Sequence, residues 1–273
     1  MKQILLFLIV FYAIGLSNAQ GIVPAGARSM SMGNASATFE EVWAFQNNPG
    51  ALAAISTFSA GLSYENRFLL KEFQTQGFAV AIPLKVGVIS IGGDMFGYRN
   101  FRSYQAGVGY SMKLSEKFFA GVQLNYKGLS LSSNYGAKHS ISAAAGIYAK
   151  VTENWKIGVS AYNVGRAKLS DFEDDRFTTV FRLGTSYLFS KKFLIAVEGE
   201  KDIDNPFRFK TGLEYEPLKN FFIRGGVQTA PIEFSFGFGY HFNQIHLGVG
   251  SSYHQILGWS PNFSIVFQAK TKE

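Results

Sequence analysis

The chain has 273 residues, no cysteine and a formal net charge of +7. Without cysteine there are no disulfides, no thiol catalysis, no Cys-ligated zinc or iron–sulfur cluster and no lipoprotein anchor. Charged residues are 16% of the chain, against about 25% in an ordinary soluble domain, and the basic excess is scattered, which argues against a nucleic-acid partner.

The first element in chain order is an address. Lys2 precedes an apolar run from Ile4 to Ile14, and Ser17-Asn18-Ala19 closes it with small residues. A basic start, apolar middle and small-x-small end read as a secretory signal peptide over residues 1–19, cleaved after Ala19. Beyond it no stretch approaches the ~20 apolar residues of a spanning helix.

Residues 20–55 do not alternate. Small residues, glycines and a short amphipathic run suit a compact plug folded inside a pore, and Asn47-Asn48-Pro49 is a turn or helix start by its own chemistry. From residue 56 to 273 one pattern repeats: segments of ~10 residues alternate apolar with polar or small residues, separated by turn residues. Phe118, Ala120, Val122, Leu124 and Tyr126 fall on one face of a strand, and Phe119, Gly121, Gln123, Asn125 and Lys127 on the other. About fourteen such segments are expected, starting near Ser56, Phe73, Lys85, Arg102, Lys117, Lys138, Trp155, Thr178, Lys192, Phe207, Asn220, Ile232, Gln244 and Asn262. Tight connections alternate with longer ones, the latter at residues 65–72, 97–101, 131–137, 166–177, 201–206, 229–231 and 256–261. The pattern predicts an all-β, transmembrane, antiparallel up-and-down barrel with a small N-terminal hatch in its lumen. Short alternating strands also occur in soluble sandwiches, but those rarely carry Phe and Tyr at nearly every outward position.

The stretch from Gly26 through Met32-Gly33-Asn34, followed by Asn47-Asn48-Pro49-Gly50, resembles the N-terminal hatch of FadL-type outer-membrane proteins. It is most similar to the PorV/PorQ branch of Bacteroidetes-type bacteria. Ala161-Tyr162-Asn163-Val164-Gly165 resembles a strand ending common in that family. The resemblance implies a Gram-negative outer-membrane location, a fourteen-stranded barrel, and a non-enzymatic accessory role in outer-membrane protein export of the type IX kind. Its partner would then be a translocon or a secreted client, besides outer-membrane lipids. Two other functions stay open: a FadL-like channel for uptake of hydrophobic small molecules, and an outer-membrane enzyme acting on lipids.

The strand parity places Arg182, Glu198, Glu200, Arg208, Lys210, Glu214 and Arg224 on the non-lipid face of neighbouring strands, where opposite charges can pair across the ladder. Such a network fills a polar lumen or lines a selective path. Of His139, His241, His246 and His254, none has the spacing of a helical metal motif. His241 and His246 flank a tight turn, with Glu233 and Asn243 expected nearby, but no metal or cofactor is expected. His139 and Ser140 are residue types used by lipid hydrolases, yet strand neighbours face opposite sides and do not form a nucleophile–base pair. Asp171, Phe172, Glu173, Asp174 and Asp175 lie in the longest outer loop, and Trp259 near another. Both are candidate partner contacts.

Overall fold

The computed structural model describes residues 25–131, 136–168, 176–203 and 205–270. The signal segment and Asp171–Asp175 lie outside the described residues. Fourteen strands form one closed antiparallel barrel in which each pairs with its sequence neighbours and the last closes on the first. They are β1 (Ser59–Asn66), β2 (Gln74–Pro83), β3 (Val88–Tyr98), β4 (Phe101–Lys113), β5 (Phe118–Leu131), β6 (Ala137–Lys150) and β7 (Trp155–Tyr162), then β8 (Val180–Ser190), β9 (Phe193–Asp202), β10 (Arg208–Leu218), β11 (Phe221–Gln228), β12 (Glu233–Phe242), β13 (Ile245–His254) and β14 (Gly258–Gln268). Among the described residues no helix is long and apolar enough to cross a membrane. The spanning elements are the strands, whose backbone groups are satisfied by closure of the ladder.

The two faces of the wall separate as a period of two requires. On β5, Phe118, Val122, Leu124 and Tyr126 are exposed on the outside, while Phe119, Gln123 and Asn125 are buried within. On β12, Phe234, Phe236, Phe238 and Tyr240 all face out. An apolar, aromatic exterior on a closed barrel is the surface that lipid requires, and it places the protein in a Gram-negative outer membrane.

The turns at the end where β1 begins and β14 finishes are short, which makes that end periplasmic. Asn220 and Asn243, in the two-residue turns after β10 and β12, take positive φ of 67° and 51°, a conformation Asn tolerates better than most side chains. The ladder shifts register between Tyr215 and Leu218, and Pro217 sits within that irregularity, where a missing N–H costs least.

Two outer connections expected to be longer are tight instead. Tyr98 pairs with Phe101 across a two-residue turn beside Gly97, at φ 105°. His254 pairs with Gly258, so β14 begins four residues before Asn262 and takes in Trp259 and Pro261. Pro261 pairs with Ser251 of β13, above the last β1–β14 pair, Glu65 with Asn262. The alternation of faces did not mark this extension because proline reads as loop, while an edge beyond the neighbouring ladder accepts it.

Candidate functional site

Residues 25–55 lie inside the barrel. They contain two short helices, α1 (Ala27–Ser31) and α2 (Ala44–Asn47), and a 3-10 helix from Pro49 to Ala54. Pro49 opens the latter, and Asn48 caps it by accepting the Gly50 N–H at 3.0 Å. Asn48 also donates to the Ala37 carbonyl at 2.7 Å and to Ile147 of the wall at 3.2 Å. Asn47 accepts from the Ala25 N–H and donates to Ser29 Oγ at 2.8 Å, tying the two halves of this hatch together. Gly26 and Gly33 have φ of 92° and 61°. At Gly26 a Cβ would lie 2.5 Å from the Trp43 ring, and at Gly33 it would lie 2.7 Å from the Val227 backbone, so both positions exclude larger residues.

The wall makes room for this backbone with glycines on the lumen parity. A Cβ at Gly121, Gly146, Gly158, Gly212 or Gly226 would strike Pro49, Asn48, Ala37, Met32 or Gly33 of the hatch, respectively. Glycine weakens a strand interior unless another backbone approaches closely, and here it does so on many strands in turn. Met32 is fully buried against Gly212, and Asn34 donates to Gln228 on β11 at 3.0 Å.

Three ionic groups fasten the hatch. In the first, Lys210 Nζ bridges Glu198 at 2.9 Å and Glu200 at 2.7 Å, Arg182 Nε reaches Glu200 at 2.8 Å, and Arg208 reaches the other Glu200 oxygen at 3.0 Å. The second oxygen of Glu198 accepts the backbone N–H groups of Ser36 and Ala37 at 2.9 and 2.8 Å. In the second, Glu214 takes Arg28 of the hatch through both oxygens, at 2.8 and 2.6 Å, and Arg224 of β11 at 2.6 Å. In the third, Glu40 holds Tyr148, Lys150 at 3.1 Å and Lys156 at 2.5 Å. Burial would raise the Glu40 carboxyl, but Lys156, Tyr148 and Lys150 outweigh it and hold it below the ordinary range. Its neighbour Glu41 reaches only Arg28, at 3.5 Å, and burial pushes it up.

Among the described residues no group of three or more His, Asp or Glu could hold a metal. His241 and His246 do stack, with centroids 3.8 Å apart, at the periplasmic end. Glu233, expected beside them, is instead at the outer end of β12, paired with His254 of β13, because it and His241 lie on one strand eight residues apart. The stacked rings border a cavity of about 240 Å³ between the hatch and the wall, together with Arg28, Glu41, Trp43 and Phe222. Gly92 does not kink its strand. The β3 ladders run unbroken on both sides, and the bare Gly92 backbone receives the Phe45 ring of the hatch.

At the outer mouth the lumen side carries an arc of aromatic rings that strand alternation alone did not single out. Phe101 packs on Phe96 at 6.2 Å, Phe96 on Phe73 at 6.0 Å, Phe73 on Phe68 at 6.4 Å, and Phe68 on His254 at 5.9 Å. Phe96 shares parity with the inward Ser90 and Asp94, and Phe101 is opposite in parity to the outward Arg102. Aromatic residues on the otherwise polar parity were the signal available in the sequence. Phe68 and Leu69 hold positive φ of 56° and 57°. Trp259 faces outward and packs on Phe236 at 5.4 Å and Tyr253 at 4.6 Å.

The barrel shares its fold with solved FadL-like outer-membrane hydrocarbon channels. No family model and no curated protein matches the sequence. Solved structures match along nearly the whole chain. A CymD monoaromatic hydrocarbon channel has a TM-score of 0.71 at 12% identity, covering 93% of this chain and 100% of that one. The toluene transporter TbuX of Ralstonia pickettii has 0.65 at 15%, covering 92% and 100%. A Pseudomonas aeruginosa FadL homologue has 0.62 at 11%, covering 92% and 98%. At such identities the likeness establishes the fold. All three are channels, transporters or FadL relatives and none is an enzyme.

Proposed function

We propose that this barrel is a non-enzymatic channel for small hydrophobic molecules, admitted at the outer mouth by the arc Phe101–Phe96–Phe73–Phe68–His254. That arc is the observation that carries the reading. Rings at about 6 Å spacing offer edges and faces on which an aromatic guest exchanges neighbours at little cost, each contact being worth about 0.5–1.5 kcal/mol. Across the lumen stand the larger charged groups of β8–β11, while on the β1–β4 side the carboxylate of Glu65 is held by Arg67 at 2.9 Å, so a guest meets the rings beside a paired charge. The fold shared with monoaromatic hydrocarbon channels supports the same cargo class. The hatch, packed against wall glycines, keeps water and polar solutes out while the cargo passes by local displacement. An accessory role in protein export, this chain being a PorV/PorQ-like barrel with a translocon or secreted client as partner, rests on the likeness of residues 26–34, 47–50 and 161–165 and has less support.

The test is uptake of a labelled monoaromatic hydrocarbon by cells carrying wild type or F73S/F96S. Loss of two ring contacts is expected to lower uptake at limiting concentration about tenfold, with unchanged barrel content in the membrane. Uptake equal in wild type, variant and barrel-free cells would remove the channel reading.

A further inference from the structure

The lipid-facing wall has one sector unlike the rest. At the outer ends of β4, β5 and β6 the outward positions hold Arg102, Tyr104, Tyr126 and His139 instead of aliphatic residues. Arg102 is exposed and shares parity with the outward Tyr104 and Val108. The Tyr104 ring lies across the bare backbone of Gly128, and its hydroxyl pairs with His139 Nδ1 at 3.1 Å. The His139 ring is stacked on Tyr126, 5.6 Å away and within 14° of parallel. Together they form a flat, polar-edged shelf on the outside of the barrel, bounded by Arg102 and by the exposed Arg99 of the β3–β4 turn, whereas Lys138, beside His139 on β6, has the lumen parity.

Among the described residues no carboxylate answers these cations on that face. Between Phe73 and Lys150 the acidic residues are Asp94 and Glu116. Asp94 has the lumen parity, and Glu116 is in the periplasmic turn beside Lys113. The other outward-facing strand cation at the outer rim, Lys201 of β9, is occupied by its own loop, donating to the Asn205 carbonyl at 2.6 Å. Cations at head-group depth attract anionic lipid, Arg presents a fork that fits phosphate, and Tyr and His rings with polar edges suit the interface.

We propose that this sector is a binding site for the phosphorylated head group of an outer-leaflet glycolipid. The phosphate sits on Arg102 with Arg99, and a sugar ring lies on the Tyr104–His139–Tyr126 shelf. This site is separate from the lumen and does not depend on the cargo.

The full chain, in neutral-lipid nanodiscs, would be offered a bisphosphorylated lipid A-type glycolipid or the same lipid without phosphates, and retained lipid measured by native mass spectrometry. Wild type should retain the phosphorylated form, R99A/R102A should retain about tenfold less, and R102K, which keeps the charge but loses the fork, should fall between. Heat-modifiable migration confirms that each variant is folded, and R102A alone serves if the double variant is not. Equal retention of the dephosphorylated lipid, undiminished retention by the variants, or displacement by millimolar inorganic phosphate would each overturn the proposal.

Discussion

At the scale of single residues, the most demanding group is Lys210. It is 2% exposed and is shared by two carboxylates that are themselves buried. Removing one partner of such a cluster leaves charge uncompensated in a dry site, which costs about 3–5 kcal/mol, whereas the intact cluster adds little net stability. K210M is therefore expected to lower the unfolding free energy of the barrel, measured by urea titration in vesicles, by that amount, and K210M/E198Q/E200Q to recover part of it. A K210M unfolding free energy within about 0.5 kcal/mol of wild type, the range of an ordinary surface substitution, would show that water reaches the cluster. The positions of these charges followed from parity, since a period of two places Lys210 and Glu214 on one face whatever the fold outside. Their partners did not, because pairing depends on the stagger between strands, and only the register opposes Arg208 to Glu200 and Lys210 to Glu198. The aromatic arc escaped for a related reason: Phe68 lies in a connection, where no alternation assigns a side, and Phe73 stands at the expected start of a strand, before its alternation is set.

At the scale of elements, the hatch and wall fit each other through glycine and through two successive carboxylates that face opposite ways. Glu40 reaches β6 and β7, and Glu41 reaches Arg28 and so β10. Their linkage to pH has opposite signs. Glu40 is depressed in the folded state, so its stabilisation is present above the ordinary carboxylate range and is lost as pH falls through the lowered value. Glu41 is raised, so its contribution is full at low pH and declines as pH rises from the ordinary range through the raised value. Acid should thus release the hatch from the β6–β7 side first. Proteolysis of the hatch, or fluorescence of Trp43, followed from pH 7 downward should show an acid transition that E40Q abolishes. A transition unchanged in E40Q would assign the release to another group. G212L and G226V, in contrast, should expel the hatch at all pH values, because each side chain would occupy the space of the Met32 or Gly33 backbone. The sequence made the alternating strands legible but not this fit. A glycine on a strand reads equally as curvature or as close approach, and only the position of Asn48 against Gly146 tells which.

At the scale of the whole molecule, the barrel and its filling are separable. Every wall strand pairs with both neighbours, and the closing seam runs from Ser59–Gln268 to Glu65–Asn262, entirely outside the hatch. Of the three ionic groups, the one on β8–β10 pairs mainly within the wall, while those at Glu214 and Glu40 join wall to hatch. Deleting residues 25–55 should therefore leave a folded barrel that has lost its stopper. The lumen would then fill with water, since its parity carries Ser, Asn, Glu, Arg and Lys rather than aliphatic side chains, and a polar interior of this strand number supports a channel. In planar bilayers the intact chain is expected to be silent to ions and the deletion to give steady, large conductance, with heat-modifiable migration showing that both are closed barrels. Hydrocarbon uptake should change differently. The aromatic arc belongs to β1–β4 and β13, so the deletion keeps its capture of apolar guests while losing selectivity against sugars. If the intact chain already conducted ions as freely as the deletion, the hatch would not be what excludes polar solutes, and selectivity would have to come from the outer mouth alone.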